Sequence, residues 1–162
     1  MDAIQFFIMR YEALHGELQQ NLLTSMSEAQ LRARPLDGFN SVVRHLWHMT
    51  RCEDIGVNRL VADVPQVIDG RWFRRLGINT ADIATGMTDV EVSDLSDRVR
   101  VDQLLEYRRA VRVRTRAVLG DLPPKRLDEP LSDAQLSVVI AEGVLGPNAS
   151  GVEQYWADRH RG

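Results

Sequence analysis

The chain has 162 residues, of which 44% are hydrophobic and 27% charged, a composition that argues against disorder. Its 20 basic and 23 acidic residues give a formal net charge of −3, so there is no general attraction to nucleic acid or to anionic membranes. Its single cysteine excludes an internal disulfide, the N-terminus lacks a secretory signal pattern, and no apolar run approaches the ~18 residues of a membrane span. We therefore expect a cytoplasmic protein with neither nucleic acid nor membrane as a partner.

Two long helices are predicted in the first part of the chain. Apolar residues at steps of three and four predict the first helix over about 2–26, with Asp2 as its N-cap. After a loop that contains proline and glycine, Asn40 or Ser41 can cap a second helix that runs to about Ala62. Because this second helix is apolar on several sides, we expect it to be well buried.

The periodic signals weaken over 63–100, which we interpret as a long crossover with short helical turns at 72–77 and 89–95. An unstructured loop of that length would be unusual in a compact domain.

A third helix is predicted over about 102–122, and it carries many arginines. Without interleaved aromatic residues they indicate a solvated helix face whose arginine stems cover apolar edges. These arginines are Arg108, Arg109, Arg112, Arg114 and Arg116.

The fourth predicted helix begins at Ala134, with Asp133 as its cap, and runs to about Arg159. A proline inside a helix costs ~3 kcal/mol, so we expect a kink or break near Pro147. Four amphipathic segments and one long connection predict a single all-α domain over residues 1–162. We expect an up-down-down-up four-helix bundle with a long crossover between helices 2 and 3.

A cluster of potential metal ligands lies on the second helix, where His45, His48 and Cys52 are spaced by three and four residues on one face. Imidazole and thiolate are good ligands for zinc and similar divalent metals. One helix rarely supplies a complete site, so further ligands would come from another helix. The alternative is that His48 is a hydrogen-bonded core histidine. Cys52 is expected to be a small buried hydrophobe and His15 to be exposed to solvent.

The second-helix segment at 45–54, with the sequence HLWHMTRCED, resembles the HLxHMxRxED-type segment of the DinB family. A comparable likeness occurs at 65–77, and a weaker one at 104–108. The resemblance implies an up-down helical bundle, frequent homodimers, and a divalent metal such as Zn, Ni or Mn. In that family the metal is held by a second-helix histidine and two residues spaced by four on the last helix. The resemblance also implies transfer or isomerisation reactions that use a low-molecular-weight thiol such as mycothiol or bacillithiol.

The match places His48 at the second-helix ligand position, but it places Leu145 and Ala149 at the other two. Neither side chain can bind a metal, and Pro147 falls between them, where the family pattern needs an uninterrupted helix. We therefore expect a degenerate metal site in a bundle that binds a small molecule in its pocket.

Two alternatives remain open at this point. In the first, the protein is a divalent-metal-dependent low-molecular-weight-thiol S-transferase or isomerase. The site around His48 would then be completed by Glu142 or His45, with Cys52 as a further candidate ligand. In the second, the protein is a structural or regulatory homodimer that uses the bundle for contacts alone.

Overall fold

A computed structural model of the protein, which describes residues 2–157 and 159–161, shows a bundle of helices. Within these residues there is no β-strand, and one isolated antiparallel bridge joins Pro130 to His160. The predicted all-helical fold is confirmed. Among the described residues, no helix is both long and apolar enough to cross a membrane.

Three helices form the first part of the chain, and two of them continue into π-helical turns. They are α1 (Ala3–Leu18, continued over Gln19–Leu23), α2 (Glu28–Arg32) and α3 (Val42–Glu53, continued over Asp54–Val61). Asp2 caps α1 as predicted, since its side chain accepts a hydrogen bond from the backbone of Gln5 at 2.8 Å. Ser41 caps α3 in the same way, with 3.0 Å from its Oγ to the backbone nitrogen of Arg44.

The second part contains the crossover helices, the third long helix and two short helices. They are α4 (Gly70–Leu76), α5 (Asp89–Arg98), α6 (Val101–Asp121), a 3₁₀ turn (Pro124–Asp128), α7 (Asp133–Ala141) and α8 (Val152–Ala157). The two helical turns predicted in the crossover are confirmed as α4 and α5. The predicted third helix is confirmed as α6.

The predicted fourth helix is divided into α7 and α8. The break expected near Pro147 is confirmed, but it is wider than a kink, because none of residues 142–151 is helical. Gly143, with φ of +69°, ends α7 in the left-handed conformation that favours glycine. The predicted cap Asp133 is wrong. Ser132 caps α7 instead, since its Oγ accepts a hydrogen bond from the backbone of Gln135 at 3.2 Å.

The apolar core is centred on α3, which confirms the predicted burial of the second helix. Leu46 and Trp47 of α3 are fully buried together with Leu104 and Tyr107 of α6. A second apolar cluster lies where the last part of the chain meets the π-helical end of α3. Its buried members are Ile55, Leu60, Ile83, Leu136, Val139 and Val144. The fold therefore packs apolar side chains at the end of the bundle where α7 and α8 meet α3.

Candidate functional site

His48, the expected metal ligand of α3, is half-buried and held by the crossover. Its Nδ1 donates a hydrogen bond to the backbone carbonyl of Ile83. Metal-binding histidines are commonly oriented by such a carbonyl. Cys52 Sγ lies 3.8 Å from both ring nitrogens of His48. His45 is exposed, and within the described chain it makes no hydrogen bond to His48 or to Cys52.

The other expected ligand positions do not complete a metal site. Leu145 packs against the second apolar cluster, and Ala149 is buried. The Glu142 carboxylate is paired with Arg59, with 3.0 Å between Arg59 Nε and Glu142 Oε2. Among the described residues, no group of three or more His, Cys, Asp or Glu side chains could hold a metal ion. The residues present therefore do not fit the three-ligand centre that the resemblance implies.

Two further expectations about single side chains are wrong. Cys52 is exposed rather than buried, because the outer side of α3 is open at this turn. Desolvation of its sulfur nevertheless raises the pKa of the thiol, which disfavours the reactive thiolate. His15 is enclosed between α1, α3 and α6, and its side chain is only 11% exposed.

A fully buried arginine joins α3 to the crossover. All five guanidinium hydrogens of Arg51 have an acceptor. Nε and Nη2 donate to the backbone carbonyl of Ala81 at 3.0 and 2.8 Å, and Nη2 also donates to Gln66 Oε1 at 2.7 Å. Nη1 donates to Tyr107 Oη at 2.9 Å and to Asp54 Oδ2 at 3.2 Å. Arg51 therefore contacts the crossover at two points and α6 at a third.

The Asp54 carboxylate is equally enclosed and satisfies the backbone of the crossover. It accepts hydrogen bonds from the amides of Val67 at 2.8 Å and Ile68 at 3.0 Å. It also accepts from Asn58 Nδ2 at 2.8 Å and from Tyr107 Oη at 2.6 Å. Burial and the nearby carboxylate together raise the pKa of Tyr107, so its hydroxyl stays protonated and serves as a donor.

A separate polar cluster surrounds Glu53, one residue before Asp54 on α3. Its Oε1 accepts hydrogen bonds from Tyr11 Oη and from Thr115 Oγ1, the latter at 2.7 Å. His15 Nε2 lies 3.5 Å from Glu53 Oε2. Burial alone would raise the pKa of Glu53, but the hydrogen bonds from His15, Tyr11 and Thr115 outweigh burial and lower it.

Arg108 closes this cluster on the side of α6. Its Nη2 lies 3.2 Å from His15 Nδ1. Because a guanidinium can only donate, Nδ1 is the acceptor and the imidazole hydrogen sits on Nε2, toward Glu53. The predicted solvated arginine face is therefore wrong for Arg108, which is 9% exposed. The same helix does expose Arg109, Arg114 and Arg116, as predicted.

Several clefts open between the helices, and two of them differ in how their charged residues are paired. The larger of these two, about 790 Å³, lies between α4 and α5; it is lined by five charged residues, of which Asp94 and Arg98 are exposed and paired with each other. The smaller of the two, about 420 Å³, lies between the C-terminal part of α1 and α6, and it is lined in part by His15 and Arg108.

The sequence pattern did not indicate the two polar clusters. One usable signal is the spacing of Arg51 and Asp54 by three residues on a helix whose other side chains are mostly apolar. A charged pair at that spacing on a buried helix indicates a buried ion pair. No comparable signal separates Arg108 from the other arginines of α6, because the neighbouring α1 determines which one is enclosed.

The family model of the DinB superfamily matches residues 12–146, which is most of the chain. The match includes α3, the crossover, α6 and α7. No curated protein matches the chain.

Replacing the Glu53 carboxylate tests the cluster through the pH dependence of stability. The pKa of Glu53 is lower in the folded protein than in the unfolded chain, where it is about 4.3. The carboxylate therefore stabilises the fold above that unfolded-state pKa, and this stabilisation is lost as the pH falls through the folded-state pKa. We expect Glu53→Gln to reduce the free energy of unfolding at pH 7. The difference from wild type should shrink on acidification below about pH 4.3. Urea unfolding at several pH values measures both quantities.

The matched control is Glu17→Gln, because Glu17 is exposed on α1 and makes no hydrogen bond within the described chain. This variant should follow the wild-type curve at every pH. A Glu53→Gln variant whose deficit is the same at pH 7 and pH 3 would contradict the assigned cluster.

Proposed function

The chain belongs to the DinB superfamily, and we propose that it is a member that binds a small molecule without the three-ligand metal centre. In this proposal the helical bundle serves as a scaffold for a ligand cleft. Metal-activated thiol chemistry is not part of the activity, and neither mycothiol nor bacillithiol is activated at His48. A fold alone does not determine a function, so the proposal depends on the residues at the site.

The observation that carries the proposal is that the residues expected to join His48 in a metal site offer no free ligand atom. Leu145 and Ala149 supply no ligand atom, and Leu145 packs against the second apolar cluster. Glu142, the acidic substitute, is held away by Arg59 and Gln66. A single imidazole, even with the Cys52 thiol beside it, leaves a divalent ion with fewer than the three protein ligands that such sites require.

The first test of the proposal measures bound metal directly. The wild-type protein is incubated with zinc, nickel or manganese, dialysed, and analysed for metal content, together with His48→Ala. We expect both proteins to retain well below about one ion per chain, because no ligand set is assembled. The exposed His45→Ala variant controls for adventitious binding by a surface imidazole.

Retention of about one ion per chain by wild type and His45→Ala, but not by His48→Ala, would contradict the proposal. That result would favour the metal-dependent transferase, because His48 would then be shown to act as a ligand.

A homodimer is a second part of the proposal, supported by an apolar surface on the outer side of α1. Phe6, Phe7, Met9 and Leu14 are each half exposed or more, with Phe6 at 51% and Leu14 at 58%. Several exposed large apolar side chains on one helix mark an interaction site more often than a single isolated one does. A second copy of the chain could cover this surface with the same helix.

Sedimentation analysis tests the dimer. We expect wild type to sediment at about twice the 18.4 kDa mass of the chain, and a Phe6→Ser, Leu14→Ser double variant to sediment as a monomer. The control is Val90→Ser, since Val90 is exposed on α5, away from α1. A monomeric wild-type protein, or a double variant that remains dimeric, would rule out this interface.

A further inference from the structure

The smaller cleft, between α1 and α6, contains a cationic group that is unusually deeply enclosed. The cleft measures about 420 Å³, which is within the range of small-molecule sites in proteins. Its walls include the imidazole, amide, apolar and guanidinium side chains of His15, Gln19, Leu105, Arg108, Arg109 and Arg112.

Of the three arginines that line this cleft, two are already paired with carboxylates of the protein. Arg109 Nη1 lies 2.6 Å from Glu106 Oε1, and Arg112 pairs with Glu12. Their charges are largely satisfied within the protein, so they do not set the chemistry of the cleft.

Arg108 differs from both. It is nine-tenths buried, and its one hydrogen bond among the described residues is to the neutral Nδ1 of His15. The oxygens of nearby Glu53 are occupied by Tyr11, Thr115 and His15, and Arg108 makes no hydrogen bond to them in the described chain. Its Nε and Nη1 have no protein acceptor there, yet they are not sealed from solvent.

A guanidinium in this state is a partly desolvated cation with donors that face an open cleft. Burial lowers the pKa of Arg108, and the charge of Glu53 offsets only part of that effect. A ligand oxyanion would supply the missing acceptors, because the planar guanidinium matches a carboxylate with two parallel hydrogen bonds.

We propose that the cleft binds a small monocarboxylate, with its carboxylate on Arg108 and its apolar body against Leu105. The acidic side chains of Asp102 and Glu106 also line the cleft, and their charges oppose ligands that carry several negative charges. This inference rests on the proposed small-molecule function and names the site and ligand class for it.

Sodium benzoate is the probe, followed by ¹H–¹⁵N NMR of the backbone amides and of the arginine Nε–H groups. We expect saturable shifts at His15, Leu105 and Arg108, and none of comparable size with benzyl alcohol, which lacks the charge. Because Arg108→Gln removes the charge-assisted hydrogen bonds to the carboxylate, this variant should bind benzoate about tenfold or more weakly.

Two variants complete the design. Arg114→Gln removes an exposed arginine of the same helix and should bind benzoate as wild type does. Gln19→Glu introduces a carboxylate at an exposed position of the cleft, where it should repel benzoate without disturbing the fold. This second variant keeps the site testable even when Arg108→Gln does not fold.

The site is overturned when benzoate leaves the cleft residues of wild type unshifted, when benzyl alcohol binds equally well, or when Gln19→Glu binds benzoate as tightly as wild type. It is also overturned when a folded Arg108→Gln retains wild-type affinity. None of these results tests metal binding at His48. The proposed function fails in a separate experiment, when the protein retains a metal ion in a way that depends on His48.

Discussion

The burial of the Arg51–Asp54 ion pair is the constraint on which the position of the crossover depends. Removing two charges from water costs several kcal/mol each, and their mutual attraction offsets that cost only when the remaining donors and acceptors are also satisfied. Here every guanidinium hydrogen has an acceptor, and both carboxylate oxygens accept from the crossover or from α6. Displacing the crossover would leave a buried charge without partners, so α3, α6 and the crossover are fixed relative to one another.

The position of the crossover in turn decides what surrounds the expected metal ligand. It brings the Ile83 carbonyl to His48, and it brings Gln66 to both Arg51 and Glu142. Glu142 thereby becomes the end of a hydrogen-bonded chain that begins at the buried arginine. The same polar network that stabilises the fold thus engages the carboxylate of Glu142, the residue expected to complete a metal site. The cluster around Glu53 lies on the other side of α3 and leaves Arg108 open to a cleft.

Local signals allowed the helices to be predicted, and partners distant in sequence decided most of the features that were missed. The caps at Asp2 and Ser41 act within three residues, and apolar periodicity marks the long helices. At α7 the cap could have been predicted locally, because Ser132 is followed three residues later by Gln135, the spacing of a capping box, whereas Asp133 is followed by Leu136. The burial of Arg51 depends on acceptors more than ten residues away, and the burial of Arg108 depends on α1. The enclosed Glu53 cluster was not expected, because its members come from α1, α3 and α6.

Native-state hydrogen exchange at Val67 and Ile68 is the most direct measurement of the central claim. These two amides lie in the crossover outside any helix, and they donate to Asp54. In wild type they should be protected nearly as well as core amides of α3, and Arg51→Met should speed their exchange about tenfold or more. Arg98→Met, which breaks an exposed pair with Asp94, should leave them unchanged. Rapid exchange in wild type, or exchange unaffected by Arg51→Met, would contradict the account.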